Sequence, residues 1–239
     1  MTRTACVTGA DRGVGLELTR ELLRQGYTVY AGYIIEDGKE LPLLAAEYPG
    51  HLHRVPMNVA DDGSVKAGAA HIASLTERLD LLINNAAILG DIQAAVTDEL
   101  DFGNMQQVFN VNALGALRVS NALIHLIQRS NLPLIVNISS EAGSVGTCWR
   151  TGWFAYCMSK AALNMQTAII HNQLKQDGGQ VIAIHPGWVQ TYMQGTKDEQ
   201  ATLTPQQSAV SILRTIAMYA SDVPEQARFV DYEGNAMQW

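Results

Sequence analysis

The sequence predicts a doubly wound α/β fold, a parallel sheet of about seven strands with helices on both faces. Three observations carry this reading. Short strand-like runs alternate with helix-like stretches along the 239 residues. Runs such as LDLLINNA (79–86) and QVIAIHPG (180–187) are apolar almost throughout, as strands buried on both faces are. The first run ends in a glycine-rich turn, TGADRGVG (8–15), that opens straight into a helical pattern. Regular alternation implies right-handed crossovers and parallel pairing. Sheets of this kind bind ligands beyond the carboxyl ends of their strands.

The elements follow in order. TACVTG (4–9) is a strand, and VGLELTRELLRQG (14–26) is an amphipathic helix stopped by Gly26. YTVYAGY (27–33) and HRVPMNV (53–59) are the second and third strands. Asp61 or Asp62 caps a helix running to about Leu75. LDLLINNA is the fourth strand, followed by a long helical region over roughly 104–129. LPLIVNISS (132–140) is the fifth strand. The helix carrying Tyr156 and Lys160 runs to about Gln176, where DGG (177–179) breaks it. QVIAIHPG is the sixth strand. TPQQSAVSILRTIAMY (204–219) opens with threonine, proline and glutamine at capping-box positions. ARFVDY (227–232) is a possible last strand.

Composition narrows the function classes. The chain is 47% hydrophobic and 16% charged, which suits a compact fold with a sizeable core. A net charge of −7 without a basic stripe argues against nucleic acid and anionic membrane as partners. MTRTACVTGA lacks the apolar stretch of a signal peptide, and no segment reaches the length of a membrane span. Three unpaired cysteines (Cys6, Cys148, Cys157) fit a reduced, cytoplasmic setting. HLH (51–53) has nothing nearby to complete a metal site, so no metal is expected.

Two motifs point to chemistry. Glycines in the turn between a strand and a helix allow positive φ and close approach of a pyrophosphate, and the helix amino end adds free N–H groups. In YCMSK (156–160), Tyr156 and Lys160 stand at i and i+4 on one helical face. A cation beside a phenol favours phenolate and moves its pKa down from about 10.

The spacing of Gly9, Gly13 and Gly15 differs from the usual dinucleotide fingerprint. It resembles the short-chain dehydrogenase/reductase family. NNAA (84–87), NVNALG (110–115), NISS (137–140), YCMSK and HPGWVQT (185–191) then follow in that family's order. HPGWVQT and the closing FVDYEGNAMQW are most similar to the C-factor and sniffer-like carbonyl reductase branch.

The resemblance implies one Rossmann-type domain over 1–239, with the dinucleotide held by about 1–130 and catalysis and substrate binding in about 131–239. It implies a proton-donating Tyr156, a Lys160 that tunes it and bonds the nicotinamide ribose, and a Ser140 that holds the substrate oxygen. Ser139 points to the other face of its strand. Asn112 matches the helix-kink asparagine that holds a relay water, with Asn110 as the competing candidate. Asp11, Arg12 and Val14 complete the phosphate loop around its glycines. Asn58 stands where an aspartate usually meets adenine, its side-chain oxygen still an acceptor, and Val59 follows it. Asn85 ties the central strands together beside the cofactor, next to Ala86. Ala87 replaces the motif's last glycine, tolerable where φ is negative. Pro186 and Gly187 shape the turn at the nicotinamide, and Val189 and Thr191 hold its carboxamide. Trp149 and Trp153, in the loop GTCWRTGWF (146–154), line the substrate pocket or merely pack on a neighbour. Trp188, Tyr192 and Met193 are further pocket candidates. The stretch 192–203 suits a mobile lid or a plain surface loop.

Cofactor choice rests on the second strand. NAD-binding relatives carry an acid at its end, where this chain has Tyr33 followed by Ile34, and no acid comes before Glu36. Arg12 sits where NADP-using relatives often carry a basic residue, although Asp11 beside it opposes a second anion and no arginine follows the strand. NADP(H) is favoured over NAD(H). The leading expectation is NADPH-dependent reduction of a ketone or aldehyde, with Tyr156 as general acid. An NAD-linked alcohol or sugar dehydrogenase and a nucleotide-sensing signalling protein are the alternatives. A longer epimerase or dehydratase is disfavoured by the short chain after Gly187. The partners implied are a small carbonyl or alcohol substrate and a second copy in a homodimer or homotetramer, through the helices at about 104–129 and 156–176.

Overall fold

The computed structural model describes residues 2–35, 38–193 and 195–239. Seven strands form one wholly parallel sheet in the order β3-β2-β1-β4-β5-β6-β7. They are β1 (Thr4–Val7), β2 (Thr28–Tyr33), β3 (Leu52–Pro56), β4 (Leu81–Asn84), β5 (Leu134–Ile138), β6 (Gln180–His185) and β7 (Arg228–Asp231). The helices are α1 (Gly13–Arg24), α2 (Glu40–Glu47), α3 (Asp62–Leu75), α4 (Phe102–Phe109), α5 (Ala116–Ile127), α6 (Phe154–Leu174) and α7 (Pro205–Tyr219). The order reverses between β1 and β4, which opens a crevice at their carboxyl ends.

Side chains alternate along each central strand between two cores. Ala5 and Val7 of β1, Leu81 and Ile83 of β4, and Leu134 and Val136 of β5 pack beneath α1 and α7 with Leu16, Leu22, Ile212 and Ile216. Cys6, Leu82 and Ile135 face the other way, against Val65, Ile72, Val119, Leu123 and Ile127 of α3 and α5. Each fully buried aliphatic side chain of this kind stabilises the fold by about 1.5–3 kcal/mol before entropy is counted. Burial on both faces is why these strands read as unbroken apolar runs.

Most elements fall where the sequence places them. Gly26 ends α1 with φ +81, and Gly178 ends the run after α6 with φ +76. Thr204 and Gln207 form the reciprocal capping box of α7, with Pro205 in its first turn. Asp61 caps α3 by accepting from the Ser64 N–H. The long helical region is α4 and α5 joined by a π-helical segment, Asn110–Gly115. The strands stop short of their apolar runs because their last residues leave the ladder for the crevice. One helix is an addition. In α2, ELPLLAAE, Pro42 reads as a breaker, yet it lies in the first turn where its N–H is not needed. Leu41 and Leu44 bury that helix on the sheet.

A buried polar ladder pins two helices to the middle strands. The Asn84 amide donates to Ser120 Oγ (3.0 Å) on α5 and to Asn137 Oδ1 (2.8 Å) on β5. Asn137 donates to Thr167 Oγ1 (2.8 Å) on α6, which donates to the Leu163 carbonyl (2.8 Å). Asparagine among aliphatic neighbours is costly unless paired, so the ladder specifies one docking of α5 and α6. Asn137→Leu is therefore expected to lower unfolding stability by about 2–4 kcal/mol, because Asn84 and Thr167 each lose one buried hydrogen-bond partner. Urea unfolding of both proteins, with an unchanged m-value, measures it.

Candidate active site

The turn after β1 is built for close approach. Gly9 and Gly13 have φ of +63 and +57. A Cβ on Gly15 would lie 2.1 Å from the Gly9 carbonyl oxygen, so only glycine fits there. Thr8 Oγ1 accepts the N–H groups of Asn85 (3.0 Å) and Ala86 (3.1 Å). The Asn85 amide donates to the carbonyls of Thr8 (2.9 Å) and Gly9 (3.1 Å). The loop is thereby tied to the end of β4. Arg12 has extended backbone and no capping side-chain bond, so the first N–H groups of α1, around Val14, face outward as an anion seat. This cradle fits a dinucleotide pyrophosphate.

Two of the expected cofactor contacts also brace the fold. The Asp11 carboxylate is buried and accepts the backbone N–H groups of Ile34 (3.1 Å) and Ile35 (3.0 Å), so it braces the turn after β2. Asn58 Oδ1 takes the Ala60 N–H (3.1 Å) in an Asx-type turn, which leaves one lone pair of its amide oxygen for a further donor. Other positions converge on the crevice. Tyr33 ends β2, and Val59 is buried. Ala87 lies outside the left-handed region, because Trp153 is the one non-glycine residue with positive φ among those described. Gly187 turns with φ +83 after Pro186. Val189 forms a parallel bridge with Leu203. Thr191 Cγ2 stands 3.7 Å from where a Cβ on Gly13 would be, which folds this segment over the phosphate loop. Glu36 lies outside the described residues.

The second half of the crevice is the contact between α6 and the end of β5. Ser139 and Ser140 diverge as strand geometry requires. Ser139 Oγ donates to Asn164 Oδ1 (2.6 Å), while Ser140 Oγ accepts the Ala142 N–H (3.1 Å) and lies beside the Tyr156 phenol. A Cβ on Gly143 would come within 2.8 Å of the Lys160 backbone, so this turn sits directly on α6. Asn112 Oδ1 accepts from Ile88 N (2.8 Å), and its amide donates to Ile88 O (2.8 Å) and Ser159 Oγ (3.0 Å). The π-helical turn carries Asn112 inward. Asn110 instead binds the Ala60 carbonyl and Arg118.

Lys160 lies beside Tyr156, and both are buried. The Lys160 amine donates to the Ile138 carbonyl (2.8 Å) and lies 5.5 Å from the centre of the Tyr156 ring. Burial pushes Lys160 down to about 7. Burial also pushes the Tyr156 phenol up to about 12, against a smaller downward pull from the Ser140 hydrogen bond. In this arrangement desolvation outweighs the attraction between the two groups.

The wall beyond Tyr156 holds charges that sequence spacing does not reveal. Glu141 and Arg150 pair through two hydrogen bonds, of 2.8 and 2.5 Å. The Arg150 guanidinium lies 4.7 Å over Trp149 and 4.8 Å over Trp153. Trp153, with φ +64, meets Tyr156 edge-on at 6.1 Å. Trp149 is 78% exposed, at the rim. His185 Nδ1 accepts the Glu141 N–H (3.3 Å), and burial pushes its pKa down. Trp188 donates to Asp198 (2.7 Å), holding the segment after β6, while Tyr192 and Met193 are exposed on that segment. The sequence marks the tryptophans but not the Glu141–Arg150 pair between them. An acid directly after the Ser140 position was the available signal. Among the described residues no cluster of His, Cys, Asp or Glu is placed to hold a metal ion.

Known proteins share this sequence pattern and fold. Residues 3–202 match the profile of the short chain dehydrogenase family. The chain is 37% identical over 164 residues to C-signal of Myxococcus xanthus, spanning 69% of this chain and 95% of that one. An NADPH-bound carbonyl reductase from chicken fatty liver superposes with a TM-score of 0.88 and 32% identity, covering 100% and 99% of the two chains. The carbonyl reductase Sniffer of D. melanogaster superposes with a TM-score of 0.89 and 26% identity, covering 100% of both. The chain therefore belongs to the short-chain dehydrogenase/reductase family, in its C-factor and sniffer-like branch, and is an NAD(P)-dependent oxidoreductase.

Proposed function

We propose that this protein reduces a ketone or aldehyde to the alcohol with NADPH, using Ser140, Tyr156 and Lys160. The observation that carries the reading is the placement of a buried phenol, Tyr156, beside Ser140, at the carboxyl end of β5 in the sheet that carries the phosphate loop. The NADPH-bound chicken carbonyl reductase supports it. Residues of about 1–130 would hold the cofactor: the phosphate loop, Tyr33, Asn58, Val59, Asn85, Ala86 and Ala87. Pro186, Gly187, Val189 and Thr191 would hold its nicotinamide end. The bound cofactor supplies the hydride. Ser140 holds the substrate oxygen and polarises it. Tyr156 carries its proton at neutral pH, as a phenol of ordinary pKa about 10 already does and as burial reinforces, and gives it to that oxygen. Lys160, which bonds the Ile138 carbonyl here, would hold the nicotinamide ribose of the bound cofactor, and Asn112 would hold a water that passes protons to Lys160. Trp149, Trp153, Trp188, Tyr192 and Met193 shape the substrate space.

The setting follows the same reading. No described helix is long and apolar enough to cross a membrane, in keeping with a cytoplasmic enzyme. Exposed Phe109, Leu114, Leu117, Met158, Met165 and Ile169 on the helical surfaces support a homodimer or homotetramer. One observation favours a second reading, a nucleotide-sensing signalling protein: the 37% identity to C-signal. The complete proton-handling set argues for turnover.

Tyr156→Phe is expected to lower NADPH-driven carbonyl reduction by at least about a hundredfold while cofactor still binds. Retained turnover in the purified variant would sink the proton assignment. Arg12→Ala should raise KM for NADPH about tenfold and leave that for NADH nearly unchanged. Equal effects on both would refute a phosphate contact. Lys160 gives a pH test. Its folded pKa is depressed to about 7, so between about 7 and 10.4 the unfolded chain holds a proton that the native state lacks. Stability then rises with pH across that window, by at most about 1.4 kcal/mol per unit. Urea unfolding of cofactor-free wild type against Lys160→Met from pH 6.5 to 9 should show the difference growing in favour of wild type. A flat difference would mean that the amine stays charged.

A further inference from the structure

Arg54 occupies a place that its own strand does not explain. It pairs with Ala31 in the β2–β3 ladder, so its side chain falls on the sheet face shared by Tyr33. Its guanidinium carbon lies 4.8 Å over the Tyr33 ring, at the carboxyl end of β2. Its Nε is buried and has no hydrogen-bond partner, and among the described residues no carboxylate pairs with it. Arg78, Arg118, Arg150 and Arg228 each hold a carboxylate. A partly buried guanidinium left unpaired is costly, and an anion brought to it recovers part of that cost.

The neighbouring groups define the anion. Asp11 joins the phosphate loop to the turn after Tyr33 through the Ile34 and Ile35 amides, so Arg12 and Arg54 flank the same strand end. The one described carboxylate between them, Asp11, is buried and accepts from both amides. Tyr33 itself presents a flat ring and no charge. Two guanidiniums with no carboxylate partner among the described residues, around a strand that ends in Tyr33, suit a phosphate monoester on a ribose better than a bare ribose diol.

We propose that Arg54, reaching across from β3 over Tyr33, is a second cation for the 2′-phosphate of NADP(H), opposite Arg12. This rests on the NADP reading above. The position is cryptic in sequence because selectivity is sought in the phosphate loop and directly after β2, whereas Arg54 arrives from the adjacent strand.

The test is quenching of intrinsic tryptophan fluorescence by four probes: NADPH, NADH, adenosine 2′,5′-bisphosphate and 5′-AMP. Wild type is compared with Arg54→Met, which keeps the aliphatic stem over Tyr33. Loss of one charge-assisted contact should raise Kd for NADPH and the bisphosphate about tenfold or more, with NADH and 5′-AMP within about twofold. Added salt should weaken NADPH binding less steeply in the variant than in wild type. Equal weakening of phosphorylated and unphosphorylated probes, or no change in either, overturns the proposal. If wild type prefers NADPH and Arg54→Met keeps the full preference, Arg54 alone is refuted. If wild type binds NADPH no better than NADH, the cofactor reading fails and takes this assignment with it. Arg54→Gln, which keeps a polar head of similar length, carries the same comparison should the methionine variant fail to fold.

Discussion

The bond from the buried Lys160 amine to the Ile138 carbonyl, 2.8 Å long, fixes where α6 meets the sheet. It closes the end of β5 where the strand would leave a carbonyl unpaired. Gly143 lies flush against the Lys160 backbone, and Asn164 bonds both Ser139 and the Gly143 carbonyl. Together these contacts set the register between the Ser140 turn and the first turn of α6. The meeting of Ser140 and Tyr156 follows from that register.

The same closeness sets the electrostatics. Water is excluded from both the phenol and the amine, so each is pushed toward its neutral form. A neutral phenol is a proton donor held ready. An amine near neutrality can change partners without dragging a full charge out of water. The polar ladder through Asn84 and Asn137 serves the other side of this arrangement, because it docks α5 and α6 against the central strands in one way. Backbone strain appears once among the non-glycine residues described, at Trp153, three residues before Tyr156. The Arg150 guanidinium, held by Glu141, lies over that tryptophan.

Much of this was legible in the chain. Strands buried on both faces announce themselves as unbroken apolar runs, and Thr204, Pro205 and Gln207 announce a helix start by local chemistry alone. The phosphate loop was legible because glycine spacing reports backbone shape directly. What stayed hidden depends on tertiary neighbours. Pro42 masks α2, since its tolerance depends on where the helix begins. Asp11 and Asn58 are assigned to ligand from motif position, and that position does not report the backbone N–H groups they also satisfy. The pKa of Tyr156 could not be read from the Lys160 spacing, because i to i+4 fixes proximity and says nothing of burial. Glu141–Arg150 and Arg54 belong to contacts across loops or strands that no local pattern records.

The account stands on carbonyl reduction at the Ser140–Tyr156 centre. The most direct measurement is to supply NADPH deuterated at carbon 4 with a panel of aromatic and aliphatic ketones and aldehydes, and to analyse the alcohols by mass spectrometry. The account predicts one deuterium on the carbinol carbon, delivered from only one of the two C4 positions. Absence of labelled alcohol across the panel, with NADPH demonstrably bound, would contradict it.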